Sequence, residues 1–482
     1  MNVFRYLSFF IFMILSGCKV GPDYAPPCVS LPEVYNENEP EKTEEIEDEN
    51  LNHWWTTFND PFLDYLIDLA LAQNYDYKIA LERVYQARFL YWVQFTQILP
   101  ELDAVSYASR SRESQGFPIQ EIGTRSPLRN FFQGQFDIIW EFDLFGKFRR
   151  SADASYDLWE ATADEMRGIK IEIISEVTTT YATICSYQKK QDIAIQTIAL
   201  DEELFALSQA RFEAGLTNEQ ETGGFLVSLE ADKAQLTLVQ AALKQSIYSL
   251  GVLLGTLPET IYDEFKIERP IPHAEGKIPV AIPSELLRRR PDIQSAERQL
   301  AAATEQIGIA VADLFPSVVL SGSSSSFVSN PLQGANMGFA SNRLSELFLP
   351  SSMLAGIGGL VVLPLFDFGK RVSTIDAQTS LRNQAYYSYQ QSVIAALQET
   401  EESLEIYFNE EKRNKNLERE IEANGKILSL TADLFQSGLT NYTQVLESKK
   451  AWLASLYTFT DSQQNLVSDL IAIYKALGGD WQ

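Results

Sequence analysis

The stretch FDIIWEFDLFGK, residues 136 to 147, puts Phe136, Ile138, Trp140, Phe142 and Leu144 on every second position. Asp137, Glu141 and Asp143 fall between them, and Ile139 is the single break. Alternation at period two predicts a strand with one apolar face and one carboxylate-bearing face. The strand covers about 130–145, and comparable candidates lie at about 101–112, 316–328 and 353–367. In the last, MLAGIGGLVVLPLFDFG, both faces are apolar, and the glycines suit close packing or a bend. A long helix follows each strand pair. The first runs from about Arg149 to Phe212 with one glycine, Gly168, and no proline. At about 1.5 Å per residue it is roughly 100 Å long. Ile174, Val177, Tyr181 and Ile184, then Ile195, Ile198, Phe205 and Phe212, follow three-four steps, with Gln188, Gln191 and Glu202 on the same seam. That is coiled-coil patterning with polar interruptions. In the second half Leu397 and Leu404, then Ile421, Leu428 and Phe435, recur at intervals of seven.

The second half repeats the first. ARFEAGLTN (210–218) recurs as ADLFQSGLTN (432–441), DLFGK as DFGK, and LLGT as ALGG. Gly215, Gly146 and Gly255 each precede their counterparts Gly438, Gly369 and Gly478 by 223 residues. Upstream, NYDYKIALE matches RPDIQSAER, and Pro100 pairs with Pro316. Each half reads as helix, strand, strand, long helix, short break, helix. The expected organisation is a signal peptide over 1–17, an anchor and acidic linker over 18–50, and repeats over 51–270 and 271–482.

The first eighteen residues, MNVFRYLSFFIFMILSGC, carry one positive charge, Arg5, and an apolar run through Leu15. That is a secretory signal, too short to span a bilayer. Its end, LSGC, resembles a bacterial lipobox, in which the cysteine is lipidated; an ordinary signal with a chance cysteine is the alternative. Cys18 is therefore the expected lipidation (palmitate) site. Lys19 stands where lipoproteins retained in the inner membrane carry aspartate, which points to the outer membrane. No later segment offers eighteen consecutive apolar residues. The acidic stretch NENEPEKTEEIEDEN (36–50) reads as a hydrated, disordered linker.

A formal charge of -26 argues against nucleic acid as a partner, since a phosphate-binding surface needs Lys and Arg. Two histidines and three cysteines, Cys18, Cys28 and Cys185, show no zinc-ligand spacing. Walker, dinucleotide-fingerprint and GxSxG motifs are absent. The serine run SGSSSS (321–326) has no histidine near it and reads as turn filler.

Membrane strands occur only in closed barrels, because an unpaired backbone group in hydrocarbon costs several kcal/mol. Four strands cannot close one, and the smallest familiar single-chain barrels have eight. Several copies must pool their strands, with Phe136 to Leu144 toward lipid and Asp137, Glu141 and Asp143 toward a watery lumen. From this strand alone, a soluble sandwich with its polar face in water fits equally.

LSGCKVGPDY, WEFDLFGKFRR, RFEAGLTN, RRPDIQSAERQLAAATEQIGIAVADLFPSVVLSG and the terminal YKALGGDW together resemble the TolC-like outer-membrane efflux family, in its lipoprotein branch. The likeness covers nearly the whole chain in order. It implies a mainly α protomer, internally duplicated, and a homotrimer with a twelve-stranded membrane β-barrel continued by a twelve-helix periplasmic α-barrel. It implies no catalysis, cofactor or metal beyond the lipid. The function implied is the outer-membrane exit duct of a tripartite RND-type efflux system, with a periplasmic adaptor and an inner-membrane RND transporter as partners. Type I protein secretion is the alternative, and a lipid-anchored coiled-coil scaffold without a pore a further one. The two GLT sites resemble the tip turns that meet the adaptor, which makes Gly215, Leu216, Thr217, Gly438, Leu439 and Thr440 docking candidates. Glycine there is also explained by a turn needing positive φ. NYTQVLESKKAWL resembles the stretch bearing the periplasmic gate. Glu447 falls where a gate carboxylate stands, with Gln444 at a second acidic position and Val445 and Leu446 beside it. Glu219 and Glu221 near the first turn are further candidates, and Lys449 or Lys450 is the expected partner of Glu447.

Overall fold

The computed structural model describes residues 18–28, 31, 32, 35, 43–45, 53–111, 129–274, 278–280, 289–321 and 335–479. The expected signal peptide, most of the acidic segment and the serine run beyond Ser321 lie outside them. Within the acidic segment, β1 (Thr43–Glu45) pairs in parallel with β4 (Ile278–Val280). The expectation of a wholly disordered linker is corrected there: three of its residues have a backbone partner.

The duplication is visible in the backbone. The long helices α3 (Lys147–Glu213) and α7 (Lys370–Gln436) each have 67 residues. The returning helices α4 (Glu219–Leu253) and α8 (Tyr442–Ala476) each have 35. All four boundaries shift by the 223 residues read from the glycines. The shorter α2 (Tyr75–Thr96) and α6 (Pro291–Ala312) are both 22 residues long. Gly168 lies inside α3 without breaking it.

Two compact units divide the chain. One combines Val84–Thr162, Ala296–Tyr389 and the N-terminal segment through Cys28; the other holds Val29–Arg83, Ala163–Ser295 and Gln390–Gln482. Each unit draws on both repeats.

The first unit contains the sheet. β2 (Glu101–Ser111) pairs antiparallel with β3 (Arg129–Phe142) over its full length. The other edge of β3 is shared by β5 (Ser317–Ser321) and β6 (Ala335–Ser341), which continue one another. Moving along β3 from Trp140 to Ile138 carries the partner from Leu320 to Ala335, where an unbroken ladder would reach residue 322. β7 (Met353–Gly356) and β8 (Gly358–Val362) pair with β6 and β5 and are likewise one line, interrupted at Ile357. The result is four antiparallel strand lines. The expected strand at 316–328 thus ends its described course at Ser321 and resumes at Ala335. The strands expected over 130–145 and 353–367 stop at Phe142 and Val362, because the next residues turn into the long helices. Four helices join the sheet, all at the same end: α2 enters β2, β3 leads to α3, α6 enters β5 and β8 leads to α7.

The second unit has the main apolar core. Trp54 stacks on Tyr474 at 5.0 Å. Leu63, Leu66 and Ile67 of α1 (Pro61–Gln73) close on Ile174, Val177 and Ile184 of α3, Leu250 of α4 and Ile471 of α8, all buried. Each such side chain contributes about 1.5–3 kcal/mol. Asp60 starts α1 by accepting from Phe62 and Leu63 N–H at 2.9 and 3.3 Å, with Pro61 in the first helical position. Its other carboxylate oxygen accepts from buried Tyr181 at 2.6 Å, tying the cap to α3.

Candidate gate, docking turns and channel wall

The two helix reversals share one construction. Gly215 and Gly438 have φ of 73° and 69°, the left-handed region glycine enters without Cβ strain. Gly215 N–H donates to Phe212 O and Leu216 N–H to Arg211 O, at 2.9 and 2.8 Å. Gly438 and Leu439 repeat both bonds to Phe435 and Leu434, each at 2.9 Å. These bonds satisfy the last helical carbonyls. Asn218 and Asn441 then cap the returning helices, accepting from Glu221 and Gln444 N–H at 2.9 Å. No atom lies within 4 Å of a Cβ built on either glycine, so positive φ alone requires them. Leu216 and Leu439 are 70% and 76% exposed. Thr217 is half-buried and donates to Glu221, which also faces Arg211 at 3.5 Å; Thr440 is half-buried at the matching place. Glu219 is exposed.

Near these turns lies a cluster that sequence reasoning only half found. The Lys450 ammonium bonds both Asp201 oxygens at 2.7 and 2.8 Å, Asp232 at 2.8 Å and the Ser228 hydroxyl at 2.6 Å. One lysine of α8 thereby joins α3 and α4. The Asp201 side chain is 1% exposed, and burial, with the neighbouring Asp232 carboxylate, pushes it up to about 6 against the pull of Lys450. At Asp232, burial raises the pKa, but hydrogen bonds with Asp201 and Lys450 hold it below the usual carboxylate range.

Two expectations for this region are corrected. Lys450 does not pair with Glu447, because Asp201 and Asp232 take its donors; Glu447 is exposed and pairs with neither lysine among the described residues. Leu446 is no gate side chain in this state: it is buried with Ile193, Leu200, Leu204 and Leu453. Gln444 is exposed and Val445 half-buried beside it.

On the sheet, register separates the two faces as the alternation predicts. Phe136 lies beside Ala104 and Met337, and Ile138 beside Leu102. Phe136, Leu102 and Met337 are all exposed in the single chain. Asp137, on the opposite face, has Asp103 as its cross-strand neighbour. Gln133 donates to Gln135, and Gln135 to Asp137 at 2.7 Å, a polar row along that face. Glu141 borders a polar cavity of about 260 Å³ at the helix-bearing end, with Lys147 and Arg371. Asp143 is corrected. It lies past the end of β3, its side chain is 7% exposed, and it accepts from Arg149 N–H and Nε at 2.9 and 3.1 Å. It therefore caps α3 instead of lining a lumen, as Asp367 does for α7 through Arg371. Cys18 is exposed.

The family model for outer membrane efflux proteins matches residues 66–256 and 282–479. Nodulation protein T of Rhizobium leguminosarum bv. trifolii is 27% identical over 452 residues, covering 94% of this chain and 92% of that protein. The toluene efflux pump outer membrane protein TtgI of Pseudomonas putida is 26% identical, covering 99% and 98%. The solved outer-membrane channel OprN superposes with a TM-score of 0.84 at 27% identity, covering 96% of this chain and all of that one. The chain belongs to the outer membrane efflux protein family and is an outer-membrane efflux channel, not an enzyme.

Proposed function

We propose that three copies of this chain assemble into one duct that releases small molecules handed on by an inner-membrane RND transporter through a periplasmic adaptor. The observation that carries the reading is the four-line sheet. One of its faces is apolar and exposed, and the outer edges of β2 and of β7 with β8 have no partner among the described residues. In hydrocarbon those edges must pair, and copies of the same chain supply matching ones. The Gln133–Gln135–Asp137 row then faces water inside the barrel. Lipid on Cys18 anchors each copy to the outer membrane. The exposed Leu216 and Leu439 meet the adaptor, while Lys450, Asp201 and Asp232 hold the tip helices together until docking separates them. Glu447 stays free of this bond and projects toward the pore.

Purified protein is expected to run as a trimer in mild detergent and to open cation-preferring channels in planar bilayers. Monomers without conductance would overturn the reading.

A further inference from the structure

Arg150, in the first turn of α3, is wholly buried beneath a surface segment. All five of its N–H donors are used. Nε bonds Val20 O at 2.6 Å, Nη1 bonds Pro22 O and Glu305 at 3.1 and 2.7 Å, and Nη2 bonds Gly21 O and Asp23 at 3.3 and 3.0 Å. A guanidinium has five donors in a fixed fork, so this set is complete. Three acceptors are consecutive main-chain carbonyls, and bonds to carbonyls fix the path of a chain whatever its side chains. Glu305 of α6 holds the guanidinium from below, its side chain 10% exposed.

The segment is gripped along its length. Val20 N–H donates to Phe145 O at 3.2 Å, Lys19 pairs with Asp153, and Tyr24 donates to Glu297 at 2.9 Å. Gly21, at φ of 92°, lies so close to Gly308 that a Cβ would stand 2.7 Å from its Cα. A Cβ on Gly308 would in turn overlap Arg150. Only Lys19 separates Cys18 from the first clamped residue. Two residues span at most about 7 Å and the Val20–Phe145 bond adds 3.2 Å, so Cys18 stays within about 10 Å of the Phe145 carbonyl, three residues past the end of β3. This is the helix-bearing end of the sheet, where the apolar row Phe136, Ile138, Trp140, Phe142 ends.

We propose that Arg150 is a positioning residue for the membrane anchor: it makes residues 19–24 a rigid strut that delivers the lipid of Cys18 to the bilayer at the foot of the sheet. The inference rests on the lipidation of Cys18. A flexible tether spreads its lipid over a radius that grows with its length, whereas the strut makes entry of the apolar strand face an event at high effective concentration. Arg150 thus acts during barrel insertion through the segment it grips.

The test follows conversion of newly made protein to the protease-resistant, membrane-inserted form, with palmitate labelling as a separate readout. Arg150→Ala is expected to keep the label and slow insertion about tenfold. In a Cys18→Ala chain exported by a non-lipoprotein signal, it is expected to cause no further slowing. Inserting six Gly and Ser residues between Cys18 and Lys19 leaves every clamp contact intact and is expected to slow insertion as Arg150→Ala does. Equal slowing by Arg150→Ala in both backgrounds, or an insertion without effect, overturns the strut and leaves Arg150 a packing residue. Wild-type protein without palmitate overturns the anchor reading and the strut with it, before any rate is compared.

Discussion

Lys450 faces two carboxylates, so one negative charge in the cluster is in excess unless a proton neutralises it. Asp201 is the better buried of the two and holds that proton up to about pH 6. A carboxyl bound more tightly to its proton in the folded chain than in the unfolded one, near 3.8, stabilises the fold below that window. The gain is lost as pH rises through about 6. Asp201→Asn keeps a neutral partner at every pH, and its melting temperature is expected to vary less between pH 5 and pH 7 than the wild type's. Lys450→Met removes the cation and leaves Asp201 buried without a counter-charge. Hydrogen bonds to charged groups contribute about 1.5–3 kcal/mol each, so the tip helices are expected to separate more readily. Single-channel recording in planar bilayers checks this: open probability should rise several-fold over wild type. The sequence singled out Lys450 but gave it the wrong partner. Asp201 and Asp232 lie 249 and 218 residues away along the chain, and no spacing rule links positions so distant. A signal did exist: Asp201 adjoins Leu200 near the seam that α3 buries against Leu446 and Leu453.

Among the elements, the turns separate conformational need from recognition. Gly215→Ala and Gly438→Ala meet no neighbouring atom, so each is expected to cost only the left-handed backbone penalty of about 1–2 kcal/mol. Gly255 has a similar φ of 65°, but its Cβ would overlap the Gln73 carbonyl. Gly255→Ala is therefore expected to lower the melting temperature well beyond the other two. Leu216→Ser and Leu439→Ser truncate side chains already in water and should leave melting unchanged while weakening capture of the purified adaptor. Adaptor binding unaffected by the leucine pair would remove the docking role. The helical elements were legible because glycine-marked boundaries and three-four apolar spacing survive in both repeats. The second strand pair was less so. Its lines are broken, β6 has only two large apolar residues, Met337 and Phe339, to mark its alternation, and β3 dictates its pairing from about 200 residues away. Asp143 misled for a related reason: alternation continues past Phe142, but the chain needs a helix cap there.

At the scale of the whole molecule, the repeats suggest which surfaces would meet in the proposed trimer. Within one chain the sheet-proximal end of α3 touches both 22-residue helices. α2 meets it through Tyr91 on Trp159 and Gln94 with Ser151, and α6 through Glu305 and Gly308 against Arg150 and Asp313 with Lys147. The repeat counterpart of α3 is α7, where Ser373 takes the place of Arg150 and is exposed, next to a 56%-exposed Val372. The counterpart of α6 is α2, where Tyr85, Phe89 and Trp92 replace buried Ala301, Glu305 and the enclosed Gly308, and are 41%, 65% and 48% exposed. A large group on α3 fits a glycine on α6; a large group on α2 is left facing outward, and a small one on α7 is uncovered. In the proposed trimer one copy's α2 would complement the next copy's α7, a head-to-tail contact that closes a ring when the rotation permits. Trp92→Glu and Ser373→Trp each spoil this fit while keeping the residues that join α2 and α6 to α3; within the chain Trp92 gives up only its ring contacts with Tyr91 and Phe95 on its own helix. Aromatic anchors at interfaces contribute about 2 kcal/mol or more, and the loss recurs at every junction. Both variants are expected to shift detergent-purified protein from trimer to monomer by native mass spectrometry, with helical content by circular dichroism unchanged. Trimers that persist in both would place the junction on some other pair of surfaces.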